Sequence, residues 1–82
     1  MIEINDDLMV LRAADGTRLE ARYSEDAAAD GGGAWVIGAT PYAARLFSRN
    51  QAITALSIEG RLRAGHDDTD PNIRSWKAEL GL

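Results

Sequence analysis

Reactive chemistry has one obvious place to reside in this chain, the run His66-Asp67-Asp68-Thr69-Asp70. Imidazole and carboxylate groups suit zinc, manganese or iron, and His66 is the single histidine. Asp70 also precedes Pro71, in the position of a helix N-cap followed by a first-turn proline. The glutamate that would close an oxygen-rich calcium loop is missing. The run therefore reads first as a solvated loop ending in a cap. His66, Asp67 and Asp68 stand behind that reading as weaker candidate metal ligands of an enzyme subunit.

Other reaction chemistry finds less support. There is no cysteine, so neither a thiolate nucleophile nor a disulfide framework is available. Ser24, Ser48, Ser57 and Ser75 have no recognisable base beside them. Paired-carboxylate hydrolysis needs one acid with a raised pKa, whereas most acids here sit in turn-forming stretches. Neither an enzyme nor a cofactor is expected.

Binding chemistry is better represented. Arg45, Arg49, Arg61 and Arg63, with Tyr42 and Phe47, could form an edge for carboxylate or phosphate. The alternative is a solvated helix face that pairs with acids elsewhere in the chain. Charge is divided unevenly: residues 1–30 carry a net −5, residues 31–65 a net +3, and residues 66–82 a net −2. The whole chain, at −4, opposes direct nucleic-acid binding, which draws on a positive face. Asp6, Asp7, Asp15, Glu25 and Asp26 make the front half a candidate surface for a basic partner.

Those residues must be positioned by one small domain. Eighty-two residues, 45% hydrophobic and 27% charged, match a single globular unit over 1–82. No signal peptide or membrane-spanning run is legible, so a soluble cytoplasmic protein with no membrane partner is expected. Residues 2–39 read as strand-rich and 41–80 as helical. Ile2, Ile4, Leu8 and Val10 share one parity, as one long strand or two short ones. Asp15-Gly16 between alternating runs signals a hairpin. A two-residue loop would set Arg12 against Leu19, Val10 against Ala21 and Leu8 against Tyr23. The core face would then carry Leu8, Val10, Leu19, Ala21 and Tyr23.

Residues 24–33, with Gly31-Gly32-Gly33, read as a mobile exposed loop, and Trp35-Val36-Ile37 as the next strand. Thr40-Pro41 and Ser48 with Gln51 are two helix-start signals. They allow one helix over 41–64 or a break at Ser48, and the break is favoured. Gln51–Arg63 is apolar around much of its circumference. It could lie between the sheet and a terminal helix, or bury one side against a partner. Gly65 ends it, Asp70-Pro71 starts a last helix docked through Ile73, Trp76 and Leu80, and Gly81 stops that helix.

The sequence thus predicts an α+β domain: an antiparallel sheet of three or four strands packed against a central helix and a short C-terminal one. Its expected role is protein–protein interaction, as a stoichiometric inhibitor of the antitoxin or phage-accessory type. Acidic side chains would replace phosphates in a basic or nucleic-acid-binding partner. The alternatives are a nucleic-acid-binding module using Tyr42, Arg45, Arg49, Arg61 and Arg63, and the His66-centred metal-dependent subunit. A homodimer is compatible with the apolar central helix.

Overall fold

The computed structural model describes residues 1–25, 34–39, 41–43 and 45–82. Four strands form one antiparallel meander in the order β1 (Ile2–Ile4), β2 (Leu8–Arg12), β3 (Arg18–Tyr23) and β4 (Trp35–Ile37). Two helices follow, α1 (Arg49–Arg63) and α2 (Pro71–Leu80). The predicted class stands, with the sheet at its larger strand count. The first alternating run is two short strands, broken where the Asn5 N–H turns back to the Leu8 carbonyl. Asp26 and the glycines at 31–33 lie outside the described residues, as does most of the expected mobile loop.

The hairpin forms, but in a different register. Arg12 faces Arg18, Leu11 faces Leu19, Val10 faces Glu20, Met9 faces Ala21 and Leu8 faces Arg22. The Ala13 N–H bonds to the Thr17 carbonyl, so the loop holds three residues, Ala14-Asp15-Gly16. Gly16 adopts φ 87°, the left-handed conformation that such a loop requires at its last position. One residue of slip exchanges the faces of a strand. Met9 and Leu11, not Leu8 and Val10, therefore join Leu19 and Ala21 on the helix-facing side, with Trp35 and Ile37 beside them. Val10 is nonetheless buried on the outer face. It sits between Glu3 and Glu20 in the register, in a lattice of Glu3–Arg12 and Arg18–Glu20–Arg22 ion pairs.

Residues 41–43 form a turn, not the start of a helix; Thr40 lies outside the described residues. The Tyr42 N–H bonds to the Ala39 carbonyl and the Arg45 N–H to the Tyr42 carbonyl. Phe47 then exchanges two backbone hydrogen bonds with Trp35, at 2.9 and 3.0 Å, on the outer side of β4. That bridge needs extended backbone, which explains why no helix runs through this stretch. Helix α1 begins after Ser48, where the complete capping box with Gln51 closes: each side chain accepts the other residue's N–H.

Helix α1 packs on β2, β3 and β4 and also against α2, so it lies between the sheet and the terminal helix. Ala52, Ala55, Leu56 and Ile58 are fully buried, and Ile53 and Leu62 are partly so. The apolar circumference is largely consumed within the chain. Gly60 permits the close approach, because a Cβ there would stand 3.2 Å from Leu11 Cδ1. Gly65 at φ 97° ends the helix, with the His66 N–H returning to Arg61 and the Gly65 N–H to Leu62. Gly81 ends α2 through the equivalent bonds to Ala78 and Lys77. Ile73 and Leu80 anchor α2 in the core, while Trp76 is only partly buried. No helix among the described residues is long and apolar enough to cross a membrane.

Candidate functional site

The 66–70 loop wraps an open polar hollow of about 460 Å³ between α1 and α2. Asp70 is its centre. One carboxylate oxygen accepts the Asn72 N–H at 2.8 Å as the N-cap of α2. The other receives Arg61 at 3.1 Å and lies 2.9 Å from His66 Nδ1. Arg61 in turn lies over the Trp76 ring, 5.3 Å from its centroid. The loop thus ties the end of α1 to the beginning of α2. Asp67 accepts the Thr69 N–H and hydroxyl, and Asp68 pairs with Lys77 at 2.7 Å. The candidate ligands His66, Asp67 and Asp68 therefore turn to three different partners. Among the described residues, no three His, Cys, Asp or Glu side chains converge on a point where a metal could sit.

The five residues of the candidate basic edge are dispersed. Tyr42 is buried and donates its hydroxyl to Glu59 Oε2 at 3.2 Å. Glu59, 8% exposed, also faces Arg63 at 3.5 Å. Arg63 continues to the Thr17 hydroxyl at 3.3 Å and toward Asp15 at 3.9 Å, while its Nε is buried without an acceptor. This network joins the 41–43 turn, the last turns of α1 and the β2–β3 loop. Burial, and then the negative charge of Glu59, raise the Tyr42 pKa, so the phenol stays protonated as the donor. Arg45 donates to the Leu80 carbonyl at the end of α2 and lies over the Phe47 ring. Arg61 belongs to Asp70. Only Arg49 of the five is left exposed without an ion pair or hydrogen bond among the described residues.

Glu59 was not among the residues singled out from sequence. It is the one acid between residues 31 and 65, four positions before Arg63 on the same helix. That spacing was the available signal.

The acidic residues divide between the two ends of β2, about 16 Å apart at 3.3 Å per residue. Asp15 stands at one end and accepts the Thr17 N–H at 2.9 Å. Thr17, through its hydroxyl and then its N–H, holds the Asp15 carboxyl below the ordinary aspartate range, with help from the Arg63 charge. Asp6, Asp7 and Glu25 occupy the other end, all exposed, and their carboxylates have no partner among the described residues. Asp7 is opposite Tyr23, whose N–H bonds to the Asp7 carbonyl at 3.0 Å. Tyr23 is 42% exposed and leans edge-on against Trp35, with ring centroids 5.9 Å apart. The reading that set Tyr23 on the core face of the hairpin did not foresee this exposed ring.

Against known protein families, curated proteins and solved structures, the chain finds no match. Its chemistry must be argued from these side chains.

Three aspartates link the loops to acid stability. Thr69, by its hydroxyl and then its N–H, lowers the Asp67 pKa. At Asp70, burial pushes the pKa up, but the Asn72 N–H and Arg61 outweigh it and the net shift is downward. With Asp15, all three lie below the ordinary value of 3.8. The fold thus favours their charged forms, a contribution complete above about pH 5 and lost as pH falls through the lowered values. Urea midpoints measured from neutral to about pH 2.5 should fall below about pH 4, and Asp70→Asn should flatten the fall. A midpoint that holds constant through this range would contradict the assignment.

Proposed function

We propose that the protein acts by stoichiometric binding, presenting the end of its sheet around Tyr23 to a basic protein partner. The observation that carries this reading is a half-exposed ring at Tyr23 with Asp7 opposite it across the β2–β3 ladder and Glu25 two residues further on, both carboxylates exposed and unpaired among the described residues. Tyrosine is favoured at the centre of interfaces, where it supplies rigid contact area and a face for a Lys or Arg side chain. Flanking carboxylates attract and orient a cationic partner. The same carboxylates could occupy a phosphate-reading cleft, as a stoichiometric inhibitor would. Internal pairing of Arg45, Arg61 and Arg63 supports this reading over nucleic-acid binding, since among the described residues it leaves Arg49 as the free cation of the proposed basic edge.

The test is capture of partners from nuclease-treated cell extract by the tagged chain, followed by titration of the partner found. Tyr23→Ala and the double variant Asp7→Lys/Glu25→Lys should each weaken binding by about tenfold or more, equivalent to at least about 1.4 kcal/mol. Wild-type affinity should also fall with added salt. Unchanged affinity in both variants would refute the proposed face.

A further inference from the structure

Among the described residues no strand pairs with the outer side of β1, which forms one edge of the sheet. Met1 and Asn5 direct their backbone groups toward β2: the Met1 carbonyl accepts from Arg12, and the Asn5 N–H donates to Leu8. By the alternation of an antiparallel ladder, Ile2 and Ile4 turn their N–H and C=O groups outward. Beside this edge, on the helix-facing side, runs an apolar groove of about 420 Å³ between β1–β2 and α1. Met1, Ile2, Leu11, Leu56, Gly60 and Ala64 line it, with Arg61 at the margin. Met1 is 77% exposed and Ile4 43%.

We infer that this edge is a homodimer interface, in which two copies pair their β1 strands antiparallel about Glu3. Ile2-Glu3-Ile4 reads identically in both directions. Centred on Glu3, Ile2 of each copy meets Ile4 of the other, and the four outward-facing residues exchange four backbone hydrogen bonds. Ile4 follows Ile2 onto the helix-facing side by parity, so each copy's exposed Ile4 is delivered beside Ile2 at the groove of its mate.

Charge supports a second copy as the occupant. Asp6 and Asp7 lie beyond the Ile4 end of the edge, while Arg12 and Arg61, each also paired with a carboxylate of its own chain, flank the Met1 end. An antiparallel two-fold therefore brings the acidic end of each copy toward the basic end of the other, twice. The like-charged contact, Glu3 against Glu3 at the axis, is relieved because each carboxylate already holds its own Arg12 at 3.3 Å. This interface shares Asp7 with the Tyr23 face but uses neither Tyr23 nor Glu25.

The full chain should show a concentration-dependent monomer–dimer equilibrium by sedimentation velocity up to about 100 μM, a range that reads micromolar association. Ile4→Pro removes an outward donor that the monomer does not use, so it should abolish dimers with an unchanged far-UV CD spectrum. Because the chain has no cysteine, Glu3→Cys offers a clean cross-link. Its two sulfurs would face across a non-hydrogen-bonded pair, where Cα atoms stand about 4.5 Å apart, within disulfide reach. Oxidation should yield a covalent dimer, whereas Glu20→Cys on an inner strand should not. A wild-type chain that stays monomeric throughout would leave the edge to a strand of another protein and overturn the inference. Dimers that survive Ile4→Pro, with no cross-link through Glu3→Cys, would overturn it as well.

Discussion

Replacing Glu59 with alanine is expected to lower the unfolding free energy by about 3 kcal/mol. The loss has two sources. The Tyr42 hydroxyl, buried beside Glu59, would be left without its acceptor, and an unsatisfied buried donor costs about 1–3 kcal/mol. Arg63, already carrying one unpaired buried nitrogen, would lose the nearer of its two carboxylates. Its side chain is about one-third exposed, so water offsets part of that loss. A domain of this length has a total stability of about 4–12 kcal/mol, and the substitution should lower the Tm by about 15 °C.

Thermal and urea unfolding of Glu59→Ala, Tyr42→Phe and the pair together would separate the terms. The double variant should be less destabilised than the sum of the singles, because removing the hydroxyl also removes the orphaned donor. Strict additivity would mean that the Tyr42–Glu59 hydrogen bond contributes nothing.

Leu11→Ala should cost about 3 kcal/mol, and Leu8→Ala about 1 kcal/mol or less. Both residues belong to β2, three positions apart and therefore on opposite faces. Leu11 is 2% exposed, faces Leu19 and reaches the Gly60 turn of α1, so its truncation opens a cavity at the closest sheet–helix approach. Leu8 is half-buried on the outer face opposite Arg22, where solvent and long side chains can close over the gap. A two-residue hairpin loop would predict the reverse order. Chemical denaturation of the two variants is thus a direct reading of register, and equal or inverted costs would contradict the Leu11–Leu19 pairing.

That register shows how a correct local signal can lead to a wrong face. Asp15-Gly16 marks the hairpin under either loop length, because both place a glycine where φ is positive. Hydrophobic alternation could not choose between them, since Leu8 and Val10 offer one apolar face of β2 and Met9 and Leu11 another. Burial against α1 makes the choice: Gly60 admits Leu11, and the Ala13–Thr17 bond closes the longer loop. The basic edge dispersed for a related reason. The positions of Tyr42, Arg45, Arg61 and Arg63 in the sequence do not determine which carboxylate or carbonyl each finds after folding.

What this sequence determined by itself are the features whose partners lie within a few residues. The Ser48–Gln51 box, the Asp70-Pro71 cap, the left-handed glycines at 65 and 81 and the division into strands then helices all belong here. Their energetics are short-range, so residue type and spacing suffice. Tertiary structure alone decided the strand register, the bridge of Phe47 to Trp35, the burial of Tyr42 against Glu59 and the exposure of Tyr23 beside Asp7. Each of those depends on surfaces meeting across a long stretch of chain, where packing selects among alternatives that local preference leaves nearly equal in energy.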